Sequence, residues 1–155
     1  MIKARSMMTK DVVTITKNSS VLEASRLLTS KSVSSLVVIE SGKPVAVVSE
    51  RDIIQGTLSK KTNVMDIMDR NFVIISPNTP FYEVTKMLRD KNISRFPVVD
   101  DGKLIGIITE TDIVEAIRDF TRLHQIVQDA ILAIFGIATA FFLFYFSPLK
   151  VAVFG

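Results

Sequence analysis

Two short segments of the sequence each place a hydroxyl three residues before a carboxylate: Ser49 before Asp52, and Thr109 before Asp112. Each segment follows an apolar run typical of a strand and begins a stretch with helical periodicity. A hydroxyl at the N-cap and an acid at the third helical position form a variant capping box. The same arrangement suits a ligand, because a helix N-terminus favours phosphate and a carboxylate accepts hydrogen bonds from ribose hydroxyls. The spacing alone leaves both interpretations open.

The two segments close the two copies of an internal repeat, which has an offset of 60 residues and no gap. Within 31–53 and 91–113, identical pairs include Gly42 with Gly102 and Asp52 with Asp112. Chance does not produce such matches in one register, and internal repeats indicate a duplicated structural unit. We therefore expect two copies of one unit, packed with pseudo-two-fold symmetry.

Each copy is predicted to fold as β-α-β-β-α, which makes the fold class α/β (α+β). A helix with one apolar face follows the first strand, and two short apolar runs then flank a Gly-Lys turn. The final helices are predicted to begin near Glu50 and Glu110. The predicted strands cover 12–15, 36–39 and 45–48 in the first copy, and 72–75, 96–99 and 104–108 in the second. The predicted domains are residues 1–62 and 63–122 for the two repeats, and 123–155 for a hydrophobic C-terminal helix.

Composition excludes several classes of site. The 155 residues include no cysteine and one histidine, His124, which excludes disulfides, thiolate zinc sites and histidine-rich metal sites. Lysine and arginine number 19 against 16 acidic residues, an excess too small and too scattered to predict nucleic-acid binding. The sequence has no P-loop, no nucleophile paired with a base and no carboxylate cluster suited to a metal. We therefore predict a sensor without enzymatic activity and without a metal.

The repeat resembles a tandem pair of cystathionine-β-synthase-type domains, called CBS domains, over about residues 6 to 120. The resemblance rests on the paired endings with the pattern Gly-x-h-h-[Ser/Thr]-x-x-Asp, in which h is apolar, and on the Ser-Arg-Phe-Pro-Val-Val-Asp stretch at 94–100. One departure is Ala46, which replaces the glycine found at Gly106 and is expected to crowd the first copy's strand. Such pairs form a module with two clefts that bind AMP, ADP, ATP, S-adenosylmethionine and related ligands.

The resemblance implies two ligand sites that differ. In the first, the Asp112 site, Asp112 and Thr109 hold a ribose and Arg95 binds a phosphate. Thr111 lies nearby, and the adenine lies against Val13, Val33 and Ser34. The second, the Asp52 site, comprises Asp52, Ser49, Arg51, Ser35, Val73, Ile93 and Ser94. Because Ser35 stands at the position of Arg95, the Asp112 site is the better nucleotide candidate.

The C-terminal stretch 130–149 contains no charged residue. Twenty residues of helix span about 30 Å, the thickness of the hydrocarbon core of a bilayer. The stretch therefore predicts a membrane anchor, with Arg118, Arg122 and the repeats on the cytoplasmic side. The alternative is a helix buried in a homodimer. Gly136 and Ala140 form a small-xxx-small pair that is compatible with close packing of two such helices.

Three hypotheses for function follow. The first is a regulatory module for adenosyl nucleotides, tethered to a membrane, dimeric and read by a partner such as a transporter or channel, as the resemblance suggests. The second is an interaction scaffold without ligand, in which Asp52 and Asp112 only cap helices. The third, with the least support, is an accessory protein for nucleic acid.

Overall fold

A computed structural model describes residues 2–91 and 93–146, and both copies follow the predicted order of elements. Two 3-10 turns, Ala4–Ser6 and Val64–Asp66, precede the copies. The first copy comprises β1 Thr14–Thr16, α1 Val21–Lys31, β2 Ser35–Glu40, β3 Lys43–Ser49 and α2 Glu50–Leu58. The second comprises α3 Phe81–Lys91, β4 Arg95–Asp100, β5 Lys103–Thr109 and α4 Glu110–Phe146. The predicted class and repeat are confirmed.

Each copy has its own sheet. In the first, β1 pairs with β2 in parallel and β2 pairs with β3 antiparallel. In the second, β4 pairs with β5 antiparallel. The predicted turns are confirmed, because Ser41 and Gly42 have φ of 51° and 76°, and Asp101 and Gly102 have 45° and 77°. Two consecutive positive φ values between antiparallel strands are typical of a type I′ turn, which matches the twist of the strands.

The first strand is shorter than predicted in both copies, and in the second it is reduced to one parallel bridge between Ile75 and Val98. The cause in the second copy is a proline. In the first copy the Val37 backbone N–H donates to the Val13 carbonyl at 3.1 Å. The counterpart of Val37 is Pro97, which has no N–H to donate, so the equivalent bond to Val73 cannot form.

The segment that precedes each copy packs into the core of the other copy, an arrangement called here the exchange of segments. Ala4, fully buried, belongs to the core of the second copy with Phe96 and Ile108. Val64, also fully buried, belongs to the core of the first copy with Leu36. Each segment then adds a bridge beside the last strand of its host sheet, Thr9 to Ile107 and Asp69 to Val47. Each core therefore contains chain from ahead of the other copy.

The last helix differs from the prediction of two separate helices. A single helix, α4, runs from Glu110 to Phe146, whereas α2 ends at Leu58. The structure separates into one compact unit that ends at Val114 and a second that begins at Glu115. From Asp119 to Phe146 every residue is exposed. The end of the predicted apolar stretch, 147–149, lies outside the described residues, and the predicted domain limits stay predictions.

Candidate functional site

The first candidate corner, called the Asp52 corner, consists of Ser49 at the end of β3 and Asp52 in the first turn of α2. The Ser49 N–H donates to Asp52 Oδ2 at 2.8 Å, and the Ser49 hydroxyl donates to the same oxygen at 2.6 Å. The Asp52 N–H in turn donates to Ser49 Oγ at 3.4 Å, which completes a capping box. Ser49 is buried and Asp52 is half-buried. The corner is therefore a rigid helix start with a carboxylate at its edge.

The Asp112 corner repeats this arrangement at the junction of β5 and α4. The Thr109 N–H and hydroxyl each donate to Asp112 Oδ2 at 2.7 Å. Here the other carboxylate oxygen also has a partner, because the Thr9 hydroxyl donates to Asp112 Oδ1 at 3.0 Å. Asp112 is half-buried, like Asp52. Both oxygens of Asp112 are therefore held, and its carboxylate plane is fixed from two sides.

Thr9 is a site residue that the sequence did not reveal. Two backbone hydrogen bonds with Ile107, of 2.9 and 3.0 Å, hold it beside β5. Its counterpart at the Asp52 corner is Asp69, whose carboxylate accepts a hydrogen bond from the Asn71 N–H at 2.8 Å. Within the described residues, Asp52 Oδ1 receives no hydrogen bond. The sequence does show that Thr9 and Asp69, at equivalent positions of the repeat, differ in type. The difference points to the corners only once the structure shows that each residue lies beside the last strand of the other copy.

Arg95 and Ser35 make the second difference between the corners. In the antiparallel ladders Arg95 lies opposite Thr109, and Ser35 lies opposite Ser49. Directly opposed residues project from the same face of a sheet, so the half-buried Arg95 belongs to the Asp112 corner. Its guanidinium donates to Ser94 Oγ at 3.3 Å. It joins neither of the two ion pairs among the described residues, so its charge remains available for an anion.

The remaining predicted residues are spread over both copies. Arg51 and Thr111 are exposed at the second positions of α2 and α4. The Ser34 carbonyl accepts a hydrogen bond from the Glu50 N–H at 3.3 Å, which brings Ser34 to the Asp52 corner. Val13 and Val33 pack against the first core and Val73 packs against the second, whereas Ile93 is buried within the second core. Within the described residues, no hydrogen bond joins either set to the opposite copy's aspartate.

The Asp52 corner borders a cavity of about 200 Å³. Beside Asp52 it is lined by Gln55, Gly56, Ser59, Lys61, Asp66 and Ile67. A larger cavity of about 490 Å³ lies at the hairpin turns, where Lys43 begins β3 at the end opposite Ser49, so it is not part of the corner. Over the described residues, no three His, Asp or Glu side chains come together as metal ligands would.

The glycine that differs between the copies has a packing cause. A Cβ placed on Gly106 would lie 2.6 Å from Met8 Sδ and 3.1 Å from the Thr9 carbonyl oxygen. Gly106 therefore allows the N-terminal segment to approach β5, and with it allows Thr9 to reach Asp112. Ala46 is fully buried within the first core. The methyl group of Ala46 is accommodated there as an ordinary core residue.

The family model described as CBS domain matches the chain twice, at residues 4–58 and 64–119. The uncharacterized protein MJ1232 of Methanocaldococcus jannaschii is 33% identical over 109 residues, which cover 70% of this chain and 37% of MJ1232. The mitochondrial CBS domain-containing protein CBSX3 of Arabidopsis thaliana is 30% identical over 128 residues, 73% of this chain and 62% of CBSX3. The chain therefore spans only part of the length of these relatives.

Two solved structures share the fold and were determined with ligands. The CBS domain pair of protein MJ0100, in complex with 5′-methylthioadenosine and S-adenosyl-L-methionine, has a TM-score of 0.72 and 27% identity, covering 77% of this chain and 98% of that one. CBSX2 in complex with AMP has a TM-score of 0.66 and 30% identity, covering 78% and 99%. With two matches of the family model, two exchanged cores and two capped corners, the chain belongs to the CBS domain family.

Proposed function

We propose that this chain is a regulatory module that binds an adenosyl nucleotide, AMP, ADP, ATP or S-adenosylmethionine, and that its best site is the Asp112 corner. The observation that carries the proposal is the fixed carboxylate of Asp112 at the same corner as Arg95, which lies opposite Thr109 and is in no ion pair among the described residues. The ligands in the MJ0100 and CBSX2 structures, which share this fold, support the adenosyl class.

In this proposal the Asp112 carboxylate accepts a hydrogen bond from one ribose hydroxyl. Each carboxylate oxygen has two acceptor sites, so the two bonds from Thr109 to Oδ2 and the one from Thr9 to Oδ1 leave one lone pair on Oδ1 for the ligand. Arg95 binds a phosphate through a charge-assisted pair, which an arginine forms with two parallel N–H donors. Thr111 is a further contact to the ligand in this proposal, and the adenine lies on the backbone near Val13 and Val33. The prediction of Ser34 for this site is not kept, because its carbonyl accepts a hydrogen bond from Glu50 at the Asp52 corner.

The second site is proposed at the Asp52 corner with the same ribose chemistry and weaker phosphate recognition. Ser35, which replaces Arg95, is only 8% exposed and carries no charge. The residues Ser49, Arg51, Val73, Ile93 and Ser94 complete that proposal. The corner therefore fits an adenosyl ligand with little or no phosphate better than it fits a nucleotide.

A scaffold without ligand is the second candidate function. The observation that favours it is that Asp52 and Asp112 already serve their own helices as caps. An acid in the first turn of a helix stabilises the helix by about 0.3–1 kcal/mol, which is enough to explain an acid at both positions without any ligand. The two candidates differ in whether removal of the Asp112 charge changes ligand affinity or only stability.

The direct test is calorimetric titration of the full chain in detergent with AMP, ATP, S-adenosylmethionine and NAD. The proposal expects saturable binding of an adenosyl ligand. The Asp112→Asn variant is expected to weaken that binding about 10- to 100-fold, since a hydrogen bond to a charged group contributes about 1.5–3 kcal/mol. Asp119→Asn, an exposed acid on α4, is the matched control and should bind normally. A folded wild-type chain that binds none of the four contradicts the proposal and favours the scaffold.

We further propose that α4 anchors the module to a membrane, with the repeats in the cytoplasm and with a membrane protein such as a transporter or channel as partner. Support comes from the helix itself, which is long and apolar enough to cross a bilayer. It contains an apolar stretch of 18 residues, none of which is buried in the structure. Flotation of the chain with lipid vesicles tests the anchor. A Leu132→Arg, Phe135→Arg double variant should remain unbound, whereas Leu22→Arg, at an exposed position on α1, should float. Flotation of the double variant would contradict the anchor.

A further inference from the structure

The exposed helix α4 carries a continuous seam of side chains spaced alternately by three and four residues. Its members are Ile117, Phe120, His124, Val127, Ile131, Ile134, Ala138, Phe141 and Tyr145. An apolar seam with a mean spacing of 3.5 residues is typical of helices that wind around one another in a left-handed coiled coil. We infer that α4 is a dimerisation helix, which pairs in parallel and in register with α4 of a second copy of this chain.

The side chains of the seam are exposed to a degree that a solvated helix does not explain. The exposed fraction is 49% for Ile117, 58% for Phe120, 48% for Val127 and 66% for Ile134. Before Ala130, where the helix also carries charged side chains, exposed apolar residues in a line indicate a surface that another element covers, whereas beyond Ala130 every face is apolar. The rings follow the same line, because Phe120 stacks with His124 at a centroid distance of 6.0 Å.

The distribution of charge identifies the face that is covered. In 115–130 there are five charged side chains, and in heptad notation, with Ile117 at position a, all five occupy positions b, c or f: Glu115, Arg118, Asp119, Arg122 and Asp129. Positions e and g, which flank the seam, hold Ala116, Leu123, Ala130, Thr121 and Gln128. Two copies therefore meet without burying a charge and without placing like charges opposite each other.

A second copy fits this seam better than an unrelated partner. A membrane surface or a groove in another protein needs only an apolar face and no strict 3.5-residue period, whereas a seam of alternating a and d positions is complementary to itself. His124 is the one clearly polar residue at an a position within 117–134. A single polar residue at such a position sets register and orientation, since it pairs best with its own counterpart in a parallel dimer.

Beyond Ala130, two α4 helices could pack either through the seam or through the small pair Gly136 and Ala140, and the two arrangements predict different contacts. Gly136 and Ala140, the small pair, occupy positions f and c on the side of the helix away from the seam. A dimer that packs through the small pair would place Ala138 outside the contact. The inference therefore predicts contact at Ala138 and no contact at Ala140.

The absence of cysteine from the chain makes disulfide cross-linking a clean test. Two cysteines form a bond only if their Cα atoms lie about 4.4–6.8 Å apart, a distance that the a and d positions of a parallel pair satisfy. Under mild oxidation of the full chain in vesicles, Val127→Cys and Ala138→Cys should run mainly as covalent dimers. Gln125→Cys and Ala140→Cys, on the outer face, should remain monomers.

Cross-linking at Gln125 or Ala140 that equals the seam positions would overturn the inference, and so would its absence at both Val127 and Ala138. Sedimentation in detergent gives a second measure: Val127→Glu should produce a monomer, whereas Ile126→Glu, one residue away on the outer face and 59% exposed, should leave the dimer intact. The inference deepens the proposed role of α4 and gives a structural basis to the dimer that the sequence analysis predicts. Because both experiments use no nucleotide, a failure of nucleotide binding leaves their outcome unchanged.

Discussion

The two corners have the same hydrogen-bonded cap and differ in what surrounds it. In both, a backbone N–H and a hydroxyl at the end of a strand donate to the same carboxylate oxygen, at 2.6–2.8 Å. At the Asp112 corner Thr9 binds the second oxygen and Arg95 lies opposite Thr109. At the Asp52 corner the equivalent positions are Asp69 and Ser35. The cap therefore serves the fold in both copies, and the neighbours distinguish the sites.

The helices that begin at the two corners, α2 and α4, differ in length. After α2 the chain must turn back, because Val64 has to enter the first core. Lys60 has a positive φ of 56° at this turn. At the other corner the chain does not turn at the equivalent position, and α4 continues as one helix to Phe146.

The variant with the largest expected effect removes the packing of the N-terminal segment in the second core and leaves the first core unchanged. Ala4→Asp places a charge in a site that is fully buried in the second core. Burial of an unpaired polar group costs about 2–7 kcal/mol, so we expect the second core to unfold at much lower urea concentration. Hydrogen exchange should increase at β4 and β5 more than at β2 and β3. Arg5→Asp, an exposed neighbour, is the control, and equal loss of protection in both cores would contradict the separate cores.

The next effect sharpens the difference in phosphate recognition. Arg95→Ser converts the Asp112 corner to the composition of the Asp52 corner. We expect affinity for AMP to fall by about 1.5–3 kcal/mol, the contribution of a hydrogen bond to a charged group. Binding of 5′-methylthioadenosine, which has no phosphate, should change little in a parallel titration. An equal loss for both ligands would show that Arg95 supports the fold rather than the phosphate.

A third comparison uses the glycine and the alanine at equivalent positions. Gly106→Ala forces Met8 and the Thr9 carbonyl to move, and overpacking of this kind costs about 1–3 kcal/mol. Urea denaturation measures the loss of stability. Ala46→Gly is the reciprocal variant, which should cost about 0.5–1 kcal/mol through backbone entropy and a small additional amount for the lost methyl group. A Gly106→Ala variant as stable as the wild type would mean that the N-terminal segment is not tightly packed on β5.

The smallest effect concerns the hydroxyl of Thr9. Thr9→Val keeps the shape of the side chain and removes its hydrogen bond to Asp112. Because Thr9 is exposed, we expect a loss of about 0.5 kcal/mol, at the low end for a hydrogen bond. Thermal unfolding detects it, and Thr14→Val, an exposed threonine on β1 with no part in either corner, is the control. A loss equal to that of the control would show that Thr9 does not support Asp112.

Some of this architecture could be predicted from the sequence because it is local. The turn at Ser41-Gly42 and the capping box of Ser49 with Asp52 depend on residues within a few positions of one another, and both are confirmed. Pro97 also carried a visible signal, because a residue without an N–H shortens the strand that pairs with it.

The exchange of segments could not be predicted in this way. Ala4–Ser6 is a three-residue turn with one buried alanine, which has no periodicity to detect. The contact of Thr9 with Asp112 joins residues 103 positions apart. Such a contact follows from the packing of two copies, and neither copy contains it alone. The length of α4 was missed for another reason: a boundary was predicted between residues 122 and 123, although no glycine or proline stands there to end a helix.

The most direct test of the account compares Asp112→Asn with Asp52→Asn in calorimetric titrations of the full chain with AMP and with S-adenosylmethionine. The two variants remove the same charge from the same cap, so any effect on folding should be similar and visible in thermal unfolding. The account predicts that Asp112→Asn abolishes or strongly weakens AMP binding and that Asp52→Asn leaves the main AMP-binding event. Loss of AMP binding in Asp52→Asn alone, or unchanged binding in Asp112→Asn, would contradict it.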